Sequence, residues 1–353
     1  MNGSSDPILG WDVGGANVKV ARVGDVGAPA SAVIERSFAL WREPHRLPAV
    51  LSEVAARVGG ARAMAVTMTA ELADCFATKR EGVAFVIDAF RTAFPASELW
   101  VYGVDGRFRS AEAARRQPHR VAAANWMASA TLVARTYPDA LLVDVGSTTT
   151  DIIPIVAGRI VARGRTDSAR LRTGELVYTG SVRTPVCATV RWVPLGGGRC
   201  RVAAEHFAVA ADVHLWLGRI DEADYTCDTP DGRGRSRPEA GARLARMVCA
   251  DLETIGAADL TAIADHVARA QLRQIVRGIR QVMHRLDALC PGVAVLAGAG
   301  AFIARAAAEA AGLTTRDLAH DVGSANARAA PAAAVASLLS ELVFTGGVLP
   351  CDR

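Results

Sequence analysis

At 353 residues the chain is longer than one simple core accommodates and suits two domains of ordinary size. Hydrophobic residues make up 51% and charged residues 22%, the balance of a globular protein with a sizeable interior. Apolar runs such as 61–70 fall well short of the roughly 20 residues a membrane span needs, and the net charge of +4 is modest, so neither membrane nor nucleic acid is expected as a partner.

Every basic residue except Lys19 and Lys79 is arginine, which reads as nucleotide bias in an Ala- and Arg-rich genome. The seven cysteines are odd in number and never form a C-x-x-C pair, which argues against a disulfide framework and a zinc ribbon. Cys187, Cys200, His206, His214 and Cys227 match no standard metal spacing. With a polar start at Met1 to Pro7 and thiols expected to be reduced, the reading is cytoplasmic.

In chain order, Ile8 to Val23 (ILGWDVGGANVKVARV) has two apolar runs around Asp12, Gly14, Gly15 and a polar tip that includes Asn17 and Lys19. A hairpin is expected there. Leu47 to Val58 has helical spacing and stops at Gly59 and Gly60. A buried strand at 61–68 then enters TMTAELADCFATKREG. Strand, polar turn and helix would place Thr67, Thr69, Glu71 and Asp74 at the C-terminal end of a strand, where open α/β sheets bind ligands. The alternative is an ordinary helix N-terminus, with Thr69 as its cap and Glu71 and Asp74 favouring the dipole. A helix is expected over 122–137, with Asn125 and Trp126 as its unusual members.

Leu141 to Ile155 (LLVDVGSTTTDIIPI) repeats the layout of the first hairpin. Gly146 lets backbone N–H groups approach an anion, the hydroxyls of Ser147, Thr148 and Thr149 can donate, and Asp144 or Asp151 can hold Mg²⁺. The following run, rich in Arg, Thr and Gly, contains Tyr178, Thr179 and Arg183. It is either a solvated crossover or a wall that presents guanidinium groups to an anionic ligand. Helices are expected over 203–217, with Glu205 and Asp212 on one face, and over 271–288; the loop 221–237 between them is expected to be mobile. Val293 to Gly312 reads as a buried strand, a tight turn with Gly298 and Gly300, and an Ala-rich helix, and a last helix is expected over 325–339.

Asp12 with Gly14 and Gly15, Asp144 with Gly146 to Thr149, and Gly298 with Gly300 resemble, in order, the first phosphate, second phosphate and adenosine segments of the actin, Hsp70 and sugar-kinase superfamily. The resemblance implies a two-domain α/β, actin-like (ribonuclease H-like) fold with a central cleft. The first domain would be residues 1–137 plus 319–353 and the second 138–318. The motifs GWDVGGANVK, TMTAELADCF, NW at 125 and 126, LVDVGSTTTDIIPI and GRTDSARLRTGELVYTGSVRTPVCA look more closely like tetrahydromethanopterin-linked one-carbon transfer proteins of the hydantoinase/oxoprolinase-related branch.

That branch implies a transferase of methanofuran-type cofactor biosynthesis, joining an aminomethylfuran diphosphate to a tyramine- or tyrosine-derived phenol with loss of diphosphate. Its partners would be the furfuryl diphosphate and the phenolic amine, with a homodimer left open. On this reading Gly14, Gly15, Asn17, Lys19, Gly146, Ser147, Thr148 and Thr149 hold diphosphate. Asp12, Asp144 and Asp151 position Mg²⁺, and Arg183 offsets leaving-group charge. Glu71 or Asp74 is the base; Thr67, Thr69, Asn125, Trp126, Tyr178 and Thr179 contact substrate. ATP binding at Gly298 and Gly300 stays open.

Two other readings are carried: an ATP-dependent small-molecule kinase or amidohydrolase, and a nucleotide-regulated binding module. Bulk at Gly298 is expected to abolish kinase activity and to be tolerated by the synthase. The segment TMTAELADCF departs from the sugar-binding loop of sugar kinases and disfavours sugar phosphorylation.

Overall fold

The computed structural model describes residues 7–24 and 30–344; the polar start at 1–6, Cys351 and the end of the C-terminal return at 345–353 lie outside the described residues. The chain divides into two compact units, Met1–Ala140 with Ile153–Arg170 and Asp317–Arg353, and Leu141–Ile152 with Leu171–Arg316. The segment 153–170, which the expected division gives to the second domain, thus packs with the first.

The first unit holds a sheet of β1 (Ile8–Val13), β2 (Asn17–Val23), β3 (Ala32–Ser37), β4 (Ala63–Met68), β5 (Glu98–Tyr102) and β6 (Phe108–Ser110), in the order β3-β2-β1-β4-β5-β6. β1 pairs antiparallel with β2 and parallel with β4. Both β1 and β4 are buried at all six positions, as central strands covered on both faces must be. Leu9, Trp11, Leu47, Leu51, Val86 and Phe90 share one core, with Trp11 set edge-on to Phe90 at 5.5 Å between ring centroids. The helix Ala330–Phe344 lies against β1 and β2 and packs on the helix Asn125–Thr136.

Two expected boundaries move for physical reasons. The helix expected over 325–339 is two, Ser324–Arg328 and Ala330–Phe344, because Pro331 brings no N–H to continue the ladder. After β4 the chain makes one 3-10 turn, Ala70–Leu72, in which Thr69 makes no side-chain capping bond. The helix proper is Lys79–Ala93, and its cap is Thr78, whose Oγ1 accepts the Glu81 N–H at 3.2 Å. Thr69, Glu71 and Asp74 are therefore not a helix N-terminus.

A second sheet is built from β7 (Ala140–Val145), β8 (Thr150–Val156), β9 (Arg159–Ile160), β10 (Leu176–Val177), β13 (Val293–Ala297) and β14 (Thr314–Asp317); β11 (Trp192–Leu195) and β12 (Gly198–Arg201) form a separate hairpin. Its order, β10-β8-β7-β13-β14 with β9 on β8, repeats the third-second-first-fourth-fifth arrangement of the first sheet. This duplicated α/β layout is the actin-like architecture expected from the sequence.

The helix expected over 271–288 is the thirty-residue Ala257–Leu286. Leu260, Ile263, Ala264 and Val267 bury the same stripe one register earlier. The helix expected over 203–217 is only Ala210–Trp216. Glu205 lies before it, and Asp212 is buried, accepting the Val209 N–H at 2.9 Å and pairing with Arg243 at 2.8 Å. The loop 221–237, expected to be mobile, is tied down: Tyr225 is buried and donates to Asp212, and Asp231 pairs with Arg243 and Arg246.

Candidate active site

In the first unit the β1–β2 turn is closed by the Gly14 N–H on the Asn17 carbonyl at 2.9 Å. That register sets Asp12 opposite Lys19, and the parallel pairing with β4 sets Asp12 opposite Thr67. Lys19, Asp12 and Thr67 thus form one polar row at the C-terminal end of β1 and β4, where a sheet of this class presents its ligand groups. Asp12 and Thr67 are buried, and Thr67 Oγ1 has no hydrogen-bond partner among the described residues. Lys19 Nζ donates to the Arg328 carbonyl at 3.2 Å, at the end of the helix Ser324–Arg328. The Thr69 N–H donates to the Val13 carbonyl at 2.9 Å, which draws the turn after β4 alongside the first hairpin.

Glu71 sits in that turn and is only 1% exposed. The helix Lys79–Ala93 presses on its backbone, so closely that a Cβ at Gly82 would stand 2.3 Å from the Glu71 carbonyl oxygen. Burial pushes the Glu71 carboxyl up to about 7 against the pull of the Lys79 ammonium and of the Glu71 and Ala123 backbone N–H groups; the Asp167 carboxylate pushes it the same way as burial. Lys79 Nζ lies 3.8 Å from Glu71 Oε1 and 3.3 Å from Asp167 Oδ2. Arg170 in turn lies 3.7 Å from Asp167 Oδ1 and stacks over the Trp126 ring at 4.5 Å. Glu71 Oε2 has no hydrogen-bond partner among the described residues. A carboxyl that titrates near neutrality with one oxygen unengaged is equipped to take a proton.

In the second unit the Gly146 N–H closes the β7–β8 turn on the Thr149 carbonyl at 2.9 Å. By the register this bond sets, Asp144 stands opposite Asp151. Where the first hairpin faces an acid with a lysine, the second faces two acids. The segment after β10 docks on this turn through its backbone: the Ser181 N–H reaches the Gly146 carbonyl at 2.9 Å, and the Val182 and Arg183 N–H groups reach the Ser147 carbonyl at 3.1 and 2.9 Å. The backbone from Ser181 to Arg183 is therefore packed on the turn rather than solvated. Gly298, with φ of +85°, lies so near that a Cβ there would be 2.3 Å from Asp144 Oδ1, and the Gly300 N–H donates to the Val145 carbonyl at 2.8 Å.

The structure sorts the expected site residues. Asp74 is exposed, whereas Glu71 is enclosed, so the two candidate bases occupy unlike environments. Trp126 is core beneath Arg170, with Asn125 half-buried at the start of its helix. Thr179 is core too: its hydroxyl accepts from Gln271 Nε2 at 2.9 Å and pairs with Thr184 at 3.1 Å, and Gln271 joins His214 at 2.9 Å. Tyr178, one residue away, is 68% exposed. Among the described residues no three His, Cys, Asp or Glu side chains gather as a metal cluster; Asp12 belongs to the first unit, and Asp144 and Asp151 belong to the second. Gly298 cannot discriminate between kinase and synthase as expected, since any side chain there strikes the Asp144 carboxylate whatever is bound.

Lys79, Asp167 and Arg170 were not among the expected site residues. A signal existed: Lys79 is one of only two lysines in an arginine-rich chain, and Asp167 and Arg170 lie in the GRTDSAR segment.

A hydantoinase/oxoprolinase family profile matches residues 62–341. The chain belongs to the hydantoinase/oxoprolinase family. Within that family it is 37% identical over 281 residues, 79% of this chain and 83% of the relative, to (4-{4-[2-(γ-L-glutamylamino)ethyl]phenoxymethyl}furan-2-yl)methanamine synthase of Methanocaldococcus jannaschii. It is 38% identical to a protein of the same name from Methanococcus vannielii over 145 residues, 41% of this chain and 65% of that one. Among solved structures, nucleotide-free acetone carboxylase superimposes with a TM-score of 0.58 at 10% identity, over 94% of this chain and 70% of that one. At that identity the likeness shows this family member's fold alone. No helix among the described residues is long and apolar enough to cross a membrane.

Proposed function

We propose that this protein is a transferase of methanofuran-type cofactor biosynthesis, acting on an aminomethylfuran diphosphate and a tyramine- or tyrosine-derived phenol in the cytoplasm. The phenol oxygen forms a bond to the furan methylene carbon, the methylene–oxygen bond to diphosphate breaks, and the phenol proton is released. The observation that carries this reading is the 37% identity to the synthase over 83% of that protein, whose name describes a phenoxymethyl furan product.

Glu71 is the group to which the phenol proton passes, because it is buried where Asp74 is exposed, and burial raises its carboxyl to about 7, which makes its carboxylate form basic enough to take a proton. Backbone N–H groups and the Ser147, Thr148 and Thr149 hydroxyls at the second turn take the diphosphate, with Arg183 offsetting leaving-group charge. Gly14, Gly15 and Asn17 line the equivalent first turn, whose acid is Asp12. Asp144 and Asp151, facing each other beside a hydroxyl-rich turn, fit Mg²⁺, an ion that takes one or two carboxylates together with phosphate oxygens and water. When bound, it would supply positive charge to the leaving diphosphate.

Mass spectrometry of the protein incubated with Mg²⁺, aminomethylfuran diphosphate and tyramine or tyrosine, with and without ATP, tests the reading. Ether and diphosphate should form in equal amounts without ATP. No ether, with ATP consumed on a phenol or amide substrate, would replace it with the kinase or amidohydrolase alternative.

A further inference from the structure

The buried carboxyl of Glu71 is placed by a lysine from another element, and that lysine is itself held from the far side. Lys79 opens the helix Lys79–Ala93, and Gly82 one turn later allows that helix to lie directly on the Glu71 backbone. Its ammonium is shared between Glu71 Oε1 at 3.8 Å and Asp167 Oδ2 at 3.3 Å, and Asp167 is steadied by Arg170. Arg170 is fixed in turn by its stacking on Trp126.

We propose that Lys79 is a positioning residue for this reaction, clamped between Glu71 and Asp167 so that its charge steadies the carboxylate form of Glu71, with Asp167 setting how much of that charge Glu71 receives. This rests on Glu71 being the base of the transferase reading. Among the described residues the leading charged groups acting on Glu71 are Lys79 from the helix that lies on it and Asp167 from the helix Asp167–Thr173. The segment before Asn125 contributes only the Ala123 backbone N–H, and Arg170 acts through Asp167. A fixed cation within about 4 to 6 Å favours a carboxylate, and a like charge disfavours it. The two neighbours therefore push Glu71 in opposite directions.

The test compares the acid limb of the kcat/KM–pH profile in the parent protein, Lys79→Gln, Lys79→Arg and Asp167→Asn. Alongside it, ¹³C NMR follows the Glu71 carboxyl, assigned by its loss in Glu71→Gln. Lys79→Gln should move the limb and the NMR titration up by about one unit or more, Asp167→Asn should move both down, and Lys79→Arg should return them toward the parent. Rate losses with both midpoints unmoved would overturn the proposal. Should Lys79→Gln fail to fold, the downward shift in Asp167→Asn decides alone. The NMR titration needs no substrate, so shifts seen there without any condensation would sink the transferase reading and leave the Lys79–Glu71 coupling standing.

Discussion

Replacing Glu71 with glutamine should trade activity for stability, and the size of the trade follows from its burial. The folded carboxyl titrates at about 7, against 4.5 for an unperturbed one. That gap of about 2.5 units, at about 1.4 kcal/mol each, makes the ionised side chain cost the fold about 3 kcal/mol. Because the folded value is the higher one, the native state holds more protons than the unfolded chain between pH 4.5 and 7. Stability from this group is thus complete below pH 4.5, falls through that window and is lost above 7. Glutamine keeps the shape and removes the titration. Denaturant unfolding of parent and Glu71→Gln at pH 4, 5, 6, 7 and 8 should show the variant gaining about 3 kcal/mol on the parent between the ends of the series. The difference between the two proteins is the quantity to follow, because buried His214 in the second unit titrates across an overlapping window with the opposite sign. The same substitution should lower kcat/KM by about 10²- to 10⁴-fold, the usual worth of a general base. A stability difference independent of pH would refute the claim that Glu71 is held near neutrality, whatever happens to the rate.

His214 supplies the mirror case: burial holds its imidazole down at about 4, so its contribution is full above pH 6.5 and lost as pH falls from there to 4. His214→Gln should abolish about 3 kcal/mol of acid sensitivity in chemical unfolding, and an unchanged acid limb would count against it. Gly298→Ala should destabilise the fold by about 1 to 3 kcal/mol, since its Cβ meets Asp144 Oδ1 and the Val145 carbonyl oxygen at 2.3 Å and φ is +85°; calorimetric melting would reveal a neutral variant if this reasoning failed. Asp144→Asn should raise the Mg²⁺ concentration needed for half-maximal condensation by tenfold or more, and unaltered metal dependence in a Mg²⁺ titration would remove Asp144 from the metal role.

What could be read from the sequence was what is local. Each hairpin announces itself through an apolar run, an acid, glycines and a second run, and the strand-to-helix turn at Gly298 and Gly300 is equally self-contained. The alternative of a helix capped by Thr69 fails because the helix starts at Lys79 under Thr78, with Gly82 letting it lie on the Glu71 backbone, a contact that no local pattern announces. The Lys79–Asp167 pair joins residues 88 apart, and no periodicity within either segment predicts it. Thr179, which the resemblance implies as a substrate contact, has its hydroxyl engaged by Gln271, a residue in the middle of a helix that starts at Ala257 rather than at 271. Polar residues committed to each other inside a unit look, in a linear sequence, just like those held out to a substrate.

That Lys19 and Lys79 are the only lysines, one anchored on the Arg328 carbonyl and the other between two carboxylates, gives the protein two natural reporters. Reductive methylation with ¹³C-formaldehyde would label these two side-chain amines, besides the α-amine, and leave every arginine silent. The two resonances would be separable by their surroundings, since Lys19 Nζ rests on a backbone carbonyl and Lys79 Nζ lies between the Glu71 and Asp167 carboxylates. A spectroscopist could then watch the first hairpin and the turn around Glu71 respond to each added substrate in turn, in the unmutated protein, without assigning another residue.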